Sequence, residues 1–180
     1  MAGTSDRKGQ SLAEIAEYHN DSVDALTSFL RSLWEQQAPR FFGFSPAQFT
    51  NLLRNRIEET EFRSSFAILA AVEAALRNDY EFRATKRRKD ALSKAFREIY
   101  KKKPKRVRFD DDLLDLWVQH YPGLRREVGQ LRGALHFRHW LAHGRSWERP
   151  VHGTFDYVSI YDLAATLFAK FEFVLKPPTC

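Results

Sequence analysis

Helix-start signals followed by helical spacing of apolar residues run through most of this chain, and they constrain its fold more than any other feature. Ser11 and Glu14 in "SLAE" form a capping box, in which each side chain bonds the backbone N–H of the other residue. "SPAQ" at 45–48 repeats the signal, with Pro46 in the first turn, where its missing N–H is harmless. Apolar side chains then recur at three- and four-residue intervals, the period of an α-helix. The sequence predicts an all-α, single-domain bundle of six or seven helices with almost no sheet.

The apolar periods also predict where each helix lies. We expect residues 1–10 to form a flexible tail and residues 11–180 to form one domain. The predicted helices cover about 11–37, 45–57, 61–78, part of 83–108, 113–121, 124–143 and 159–175. The loop 145–158 is expected to be irregular, with strand-like character around Phe155 to Val158, and "SIYD" at 159–162 resembles the start of the last helix.

Composition narrows the class of protein. The chain has 180 residues, 43% hydrophobic and 29% charged, with no apolar run of the roughly 18 to 20 residues that a membrane span needs. Its polar start lacks the apolar region of a secretory signal, and its one cysteine, Cys180, allows no intrachain disulfide or cysteine zinc site. These features favour a cytoplasmic protein with no membrane contact. The net charge of +6 favours an acidic partner such as RNA.

Much of the positive charge lies in a dense basic run at 83–108. We take five of its residues as candidate RNA-binding residues: Arg87, Arg88, Lys101, Lys102 and Lys103. A solvated helix face is an equally good interpretation of such a run. Phe96, Tyr100 and Phe109 are interleaved with the charges, but their helical spacing indicates core packing more than base stacking.

The stretch "HFRHWLAHGR" at 136–145 concentrates three histidines and two arginines near the end of a predicted helix. His136, His139 and His143 share a helix face and could bind zinc, although one helix rarely completes a metal site alone. They could also be ordinary polar residues, since cationic side chains suit the last turn of a helix. We predict no metal and no cofactor.

A catalytic interpretation starts from Arg138 and His143, which are separated by four residues. Arginine presents a permanently charged fork that suits phosphate oxygens, and histidine exchanges a proton near neutral pH. Phosphodiester cleavage needs both charge stabilisation and proton transfer. On an ideal helix, however, the two residues lie about 140° apart. They can converge only if the arginine reaches round, if the last turn distorts at Gly144, or if a second molecule supplies part of the site.

The segment "FRHWLAHGR", in which Arg138 is followed directly by His139 and His143 directly by Gly144, resembles the R-x4-6-H signature of the HEPN superfamily. The resemblance is sharp over about ten residues and also covers the all-α architecture. Members of that family often carry a polar or acidic residue on an earlier helix, facing the motif. Glu73 lies on the apolar stripe of such a helix and is our choice. Asn78 and Asp79 are competing choices.

The resemblance implies a metal-independent RNA endonuclease that dimerises so that two motifs line one cleft. Attack of a ribose 2′-OH on the adjacent phosphate would leave a 2′,3′-cyclic phosphate and a 5′-OH. His143 would then be the acid/base group, Arg138 would stabilise the developing charge, and His139 would orient or assist. Many relatives are toxins of toxin–antitoxin pairs or antiviral-defence effectors, and some are neutralised by a nucleotidyltransferase-like antitoxin.

Two arginines flank the motif, and a non-catalytic function is the alternative to an enzyme. Arg132 and Arg145 lie one or two turns from the motif and are candidate phosphate-binding residues, although a solvated helix face would explain them equally well. The alternative to an enzyme is a catalytically inactive helical module that binds nucleic acid or a protein partner, in which the motif is vestigial.

Overall fold

All regular structure in the described part of the chain is helical. The computed structural model describes residues 9–103, 106–145 and 155–178. The α-helices of these residues are α1 (Leu12–Glu35), α2 (Pro46–Thr85), α3 (Ala91–Lys102), α4 (Asp115–His120), α5 (Arg125–Ala142) and α6 (Tyr157–Lys170). Single 3₁₀ or π turns lie at Pro39–Phe41, Phe109–Leu114 and Pro122–Leu124. The predicted all-α bundle of six or seven helices is confirmed, since these ranges hold six α-helices and no strand.

The first two helices begin where the capping boxes predicted. The Ser11 hydroxyl accepts a hydrogen bond from the Glu14 N–H at 3.1 Å, and the Ser11 N–H donates to the Glu14 carboxylate at 2.7 Å. Ser45 and Gln48 form the same pair of bonds at the start of α2. Each box satisfies backbone donors that the first turn of a helix leaves without partners, so it fixes the first residue of its helix.

Helix α2 runs without a break through the position where two helices were expected, over 45–57 and 61–78. That division was wrong, because residues 58–60 contain neither glycine nor proline, and glutamate is a good helix former. The apolar stripe lapses there because the helix passes between two separate apolar clusters. At 40 residues, α2 is about 60 Å long. No helix in the described ranges combines the length and the apolarity that crossing a membrane requires.

Helix α2 is the element that the other helices share. It packs against α1, α3, α5 and α6. The large core along its second half includes Ile68, Leu76, Phe96, Trp117 and Phe137, all of which are almost fully buried. A smaller cluster joins the end of α1 to the start of α2 and is built on three buried residues: Leu30, Phe41 and Phe49. The α1–α2 hairpin therefore extends past the main core and carries its own apolar contacts.

The basic run begins in the last turn of α2 and is helical again over α3, and a π turn precedes α4. The Asp112 carboxylate accepts the Arg108 N–H at 2.8 Å, and the first turn of this segment is acidic, with Asp110, Asp111 and Asp112. The predicted helix over 113–121 begins as this π turn and is α-helical only over α4. Phe96 is fully buried, which confirms that it is a core residue.

The start and the end of α6 both differ from the prediction. Asp156 caps the helix by accepting the Ser159 N–H at 2.8 Å, so the "SIYD" start at Ser159 was one turn too late. The predicted strand-like character around Phe155 to Val158 was also wrong, because α6 has already begun at Tyr157. The helix ends at Lys170, before the predicted end near Leu175. Residues 146–154 of the predicted loop lie outside the described residues.

A buried carboxylate explains why the chain leaves helical geometry after α6. Asp79 is fully buried and accepts the backbone N–H groups of Val174 and Leu175 at 2.7 and 3.0 Å. Its other oxygen accepts a bond from the buried Arg83 at 2.6 Å, and Arg83 also donates to the Glu172 carbonyl. This network ties the C-terminal segment to the middle of the fold.

We predict that Asp79→Ala lowers the free energy of unfolding by about 3 to 5 kcal/mol, because it removes the fully buried carboxylate that pairs with the buried Arg83 guanidinium. Urea unfolding followed by circular dichroism measures the change. Asp24→Ala, which removes an exposed carboxylate of α1, is the matched control and should stay within about 0.5 kcal/mol of the wild type. Equal effects of the two substitutions would contradict the structural role of Asp79.

A second prediction concerns His19, which is buried between α1, α2 and α6. Its Nδ1 atom lies 3.0 Å from the Ser64 hydroxyl, and its ring stacks on Tyr157 with centroids 3.7 Å apart. Burial lowers the pKa of His19 from 6.5. The unfolded chain therefore binds the proton more tightly than the folded chain, and the stability should fall as the pH drops below about 6.5.

The measurement is the free energy of unfolding between pH 5 and 8 for the wild type and for His19→Gln. The difference between the two curves isolates this histidine, because the other groups titrate in both proteins. A difference that is constant over this range would show that His19 titrates alike in the folded and unfolded chains.

Candidate active site at the end of helix α5

The motif-bearing helix ends in a turn that fixes the position of His143. The Gly144 N–H donates to the Leu141 carbonyl at 3.3 Å, and the Arg145 N–H donates to the Trp140 carbonyl at 3.0 Å. These two bonds define a Schellman motif, in which the residue after the cap adopts a positive φ. Gly144 has a φ of 68°, a conformation that glycine adopts without strain. His143 is therefore the C-cap, with its exposed ring at the negative end of the helix dipole.

The two histidines of the motif contact each other. The ring centroids of His139 and His143 lie 4.2 Å apart, with the ring planes inclined at 59°. One helical turn separates the two residues, and both are exposed to solvent. The end of α5 thus presents two adjacent imidazoles, each able to accept or release a proton.

Arg138 points toward α2. Its Nη1 atom donates to the Glu73 carboxylate, and its guanidinium lies over the Phe66 ring, 5.3 Å from the centroid. The Arg138 side chain is 32% exposed, and that of Glu73 is 16% exposed. Within one chain, the partner of Arg138 is thus a carboxylate of α2, while the partner of His143 is His139. The Arg138 side chain therefore extends toward α2 and does not reach round α5 toward His143.

An open groove of about 360 Å³ lies beside these residues, and we call it the motif groove. Its polar lining residues are Glu73, Asp110, Arg132, His136, Arg138 and His139, and Phe109, Leu135 and Ala142 complete it. The structure therefore brings three of the four predicted catalytic residues, Arg138, His139 and Glu73, to one groove. His143 follows Ala142 directly at the end of that groove.

Three residues were candidates for the polar or acidic residue that faces the motif: Glu73, Asn78 and Asp79. Glu73 contacts Arg138 and also accepts a bond from Arg77 at 2.8 Å. Asp79 is committed to the buried network with Arg83, and Asn78 lines a different groove, between α1, α2 and the C-terminal segment. Of the three candidates, Glu73 is the one whose carboxylate meets the motif.

Both flanking arginines already have acidic partners. Arg132 donates to Asp110 and, at 2.5 Å, to Asp115. Arg145 contacts both carboxylate oxygens of Glu59, at 2.6 and 2.8 Å, and lies over the Phe62 ring at 4.7 Å. An RNA phosphate would have to share each guanidinium with a carboxylate. The prediction that these two residues bind phosphate stays a prediction.

The five candidate RNA-binding residues of the basic run lie away from the motif groove. None of them lines it, and α3 packs against α2 and α4. Three of the five form ion pairs: Arg88 with Asp90, Lys101 with Glu98 and Lys103 with Asp112. Arg87 and Lys102 are exposed. This run therefore resembles the solvated face that we weighed against RNA binding.

The three histidines of the motif do not gather into a ligand set. Among residues 9–103, 106–145 and 155–178, no group of three histidine, cysteine or carboxylate side chains is close enough to hold a metal ion. His136 lies on the wall of the motif groove, one turn before the His139–His143 pair.

Sequence reasoning missed Phe66 and Arg77, which position Arg138 and Glu73. Phe66 keeps the apolar spacing of its helix, which gives no sign that the guanidinium of Arg138 covers its ring. Arg77 follows Glu73 by four residues, a spacing that favours an ion pair on a helix and was a usable signal.

Comparisons of the chain with protein-family models, with curated proteins and with solved structures gave no match. The case for a function therefore rests on the residues at the end of α5 and on their neighbours.

We predict that Glu73 is energetically coupled more strongly to Arg138 than to Arg77. The pair with Arg138 joins two helices and is partly buried, so a double-mutant cycle with alanine should give about 1 to 2 kcal/mol of coupling. The pair with Arg77 lies on one helix and its arginine is more exposed, so its cycle should give about 0.3 to 0.5 kcal/mol. Equal coupling energies in the two cycles would show that α2 does not hold Arg138 in place.

Proposed function

We propose that this protein is a metal-independent RNA endonuclease of the HEPN type, in which Arg138 and His143 act at the end of α5. The observation that carries the proposal is the arrangement of that helix end. A guanidinium held by Glu73 lies beside an open groove, and two imidazoles in contact with each other follow it. Within one chain, Arg138 and His139 thus line the motif groove, and His143 follows at the end of that groove.

The reaction that fits these groups is an internal transfer at one phosphate of RNA. A ribose 2′-OH attacks the adjacent phosphorus, its proton passes to an imidazole, and the bond to the 5′-oxygen of the next nucleotide breaks. That oxygen takes a proton from an imidazolium, which leaves a 2′,3′-cyclic phosphate and a 5′-OH. We assign the acid/base role to His143, with His139 orienting or assisting it, because a positioned histidine suits both proton transfers.

Arg138 would stabilise the charge that develops on the phosphate oxygens. Glu73 accepts from Nη1, while the Nε atom is buried. The remaining N–H groups of the fork are those that can meet a phosphate. A guanidinium held in place before the substrate arrives stabilises the transition state without reorganisation, which is the usual source of large electrostatic effects in enzymes. Glu73 is a positioning residue in this scheme.

We propose a two-fold homodimer as the active species. The two motif residues diverge within one chain, and an isologous contact between two copies would bring two exposed helix ends to one cleft. The resemblance also implies a cytoplasmic toxin or antiviral-defence effector, with a nucleotidyltransferase-like antitoxin or a defence-system protein as its partner. We include these in the proposal on that ground alone.

One observation favours the alternative, a catalytically inactive helical module. Arg132, Arg138 and Arg145 are all paired with carboxylates, so their charges are partly neutralised before any RNA binds. Such a module would bind RNA or a protein and release no products. RNA binding that survives His143→Ala, without cleavage by the wild type, would identify it.

We predict that the wild-type protein cleaves labelled RNA in EDTA and that His143→Ala lowers the rate at least about 100-fold, the usual loss when a general acid or base is removed. The products, identified by mass spectrometry, should carry 2′,3′-cyclic phosphate and 5′-OH ends. His120→Ala is the matched control, because His120 also lies in the last turn of a helix but at the end of α4.

Two results would refute the enzyme. One is RNA that stays equally intact with the wild type and with His143→Ala. The other is cleavage that the chelator abolishes, which would assign the reaction to a metal ion.

A further inference from the structure

Two more grooves continue from the motif groove along α2. The first, which we call the middle groove, shares Ala142 with the motif groove, has a volume of about 320 Å³ and is also lined by Phe62 and Arg145. The second, which we call the hairpin groove, shares Glu59 and Arg63 with the middle groove and has a volume of about 420 Å³. Because neighbouring grooves share lining residues, the three form one path from the motif to the α1–α2 hairpin.

The charges along the middle and hairpin grooves are mainly positive. Four arginines line them: Arg40, Arg56, Arg63 and Arg145. Among the described residues, Glu59 is the one carboxylate that lines either groove, and its closest cation is Arg145. Arg63 is 3.8 Å from Glu59 and its side chain is 80% exposed, so its charge is largely available to a ligand. Unlike the basic run, this path presents arginines that connect to the motif.

Aromatic rings accompany the arginines. Phe29 lines the hairpin groove and is 56% exposed, so its ring is accessible to a ligand in that groove. In the middle groove, the Arg145 guanidinium lies over the Phe62 ring, 4.7 Å from its centroid. Exposed aromatic rings and arginine planes are the groups on which unpaired bases stack. Double-stranded RNA offers no free base faces, so these groups favour a single strand.

The length of the path indicates the length of the ligand. From Glu73 at the motif groove to Arg56 at the hairpin groove, α2 advances 17 residues, or about 26 Å at 1.5 Å per residue. At about 3.4 Å per stacked nucleotide, this distance corresponds to about seven or eight nucleotides.

We infer that the substrate is single-stranded RNA of about eight nucleotides or more, which extends from the motif groove through the middle groove to the hairpin groove. This inference rests on the proposed function for the identity of the ligand as RNA. The arginines of the path bind successive phosphates, and Phe29 stacks on a base at the far end. The binding surface thus follows α2, beside α5 at the motif and middle grooves and beside α1 at the hairpin groove, and the basic run at 83–108 lies outside it.

The test measures binding rather than cleavage, so that it can fail independently of the proposed enzyme. Fluorescence anisotropy gives the affinity of a His143→Ala background for a labelled 12-nucleotide single strand over a range of salt concentrations. Adding Arg56→Ala and Arg63→Ala removes two phosphate contacts. At 0.1 M salt the affinity should fall about 25-fold and the salt slope by about 1.4, because each contact on a single strand contributes about 0.7 to that slope.

The matched control removes two arginines outside the path, Arg125 and Arg126, which are exposed at the start of α5. This double substitution should leave the affinity within twofold of the background protein and the salt slope unchanged. Glu59→Gln should change the affinity in the opposite direction. It removes the one carboxylate that, among the described residues, lines the middle and hairpin grooves, so binding of the single strand should become several-fold tighter.

Strand length is the second measurement. The affinity of the background protein should rise with length up to about eight nucleotides, whereas Arg56→Ala with Arg63→Ala should level off at a shorter length. Equal losses from the path and control substitutions, or no loss from either, would overturn the inference. So would a change in the monomer–dimer equilibrium without a change in RNA affinity, since that would assign the grooves to a second copy of the chain.

Discussion

One face of α2 determines where the end of α5 lies. Four residues of that face fall within an arc of about 60° around the helix axis. They are Glu59, Phe62, Phe66 and Glu73. Each carboxylate binds an arginine of the motif region and each ring lies beneath one, so that Arg138 and Arg145 are each held by a carboxylate and a ring of α2. The two glutamates are about 21 Å apart along the axis of α2. The position of the histidines follows, because the turn at Gly144 lies between these two attachments.

This arrangement has an electrostatic consequence for the two proposals. Arginines that are already paired with carboxylates are well positioned but attract phosphate only weakly over distance. A paired residue such as Arg138 therefore suits a transition state, in which extra negative charge appears at a defined place. The more exposed Arg63 suits the initial capture of a chain of phosphates. In these proposals, arginines that are paired with carboxylates stabilise the reacting phosphate, and exposed arginines bind the rest of the RNA strand.

The sequence predicted features that depend on neighbouring residues and missed those that depend on distant ones. The starts at Ser11 and Ser45 are local hydrogen-bond patterns and were predicted correctly. The false break at 58–60 arose because a lapse of the apolar stripe was taken for the end of a helix, although it marks only the space between two apolar clusters. The end of α6 depends on Asp79, a residue 95 positions away from the backbone that it binds, and no local pattern reveals such a bond.

In the candidate site, too, some features could be predicted from the sequence and others depend on residues far away in the chain. Glu73 was found because a carboxylate on an apolar stripe must have a partner, a requirement that is visible in the sequence. The partners of Arg132 and Arg145 were not found, because Asp110 and Glu59 lie 22 and 86 residues away. An arginine close to a motif is therefore easy to predict as a ligand of phosphate, while the carboxylate that neutralises it becomes visible only in the fold.

The small apolar cluster of the α1–α2 hairpin is separate from the main core, so the fold has two apolar units of unequal size. The unit built on Leu30, Phe41 and Phe49 contains few buried side chains, so amide protons there should exchange through local opening well below the global unfolding energy. Helix α2 belongs to both units. A ligand or contact that rigidifies the α1–α2 hairpin should therefore also reduce fraying of α2, against which α5 packs. If the hairpin end of α2 became more ordered, backbone motion at the end of α2 near α5 would decrease as well. This coupling requires no change in the average structure.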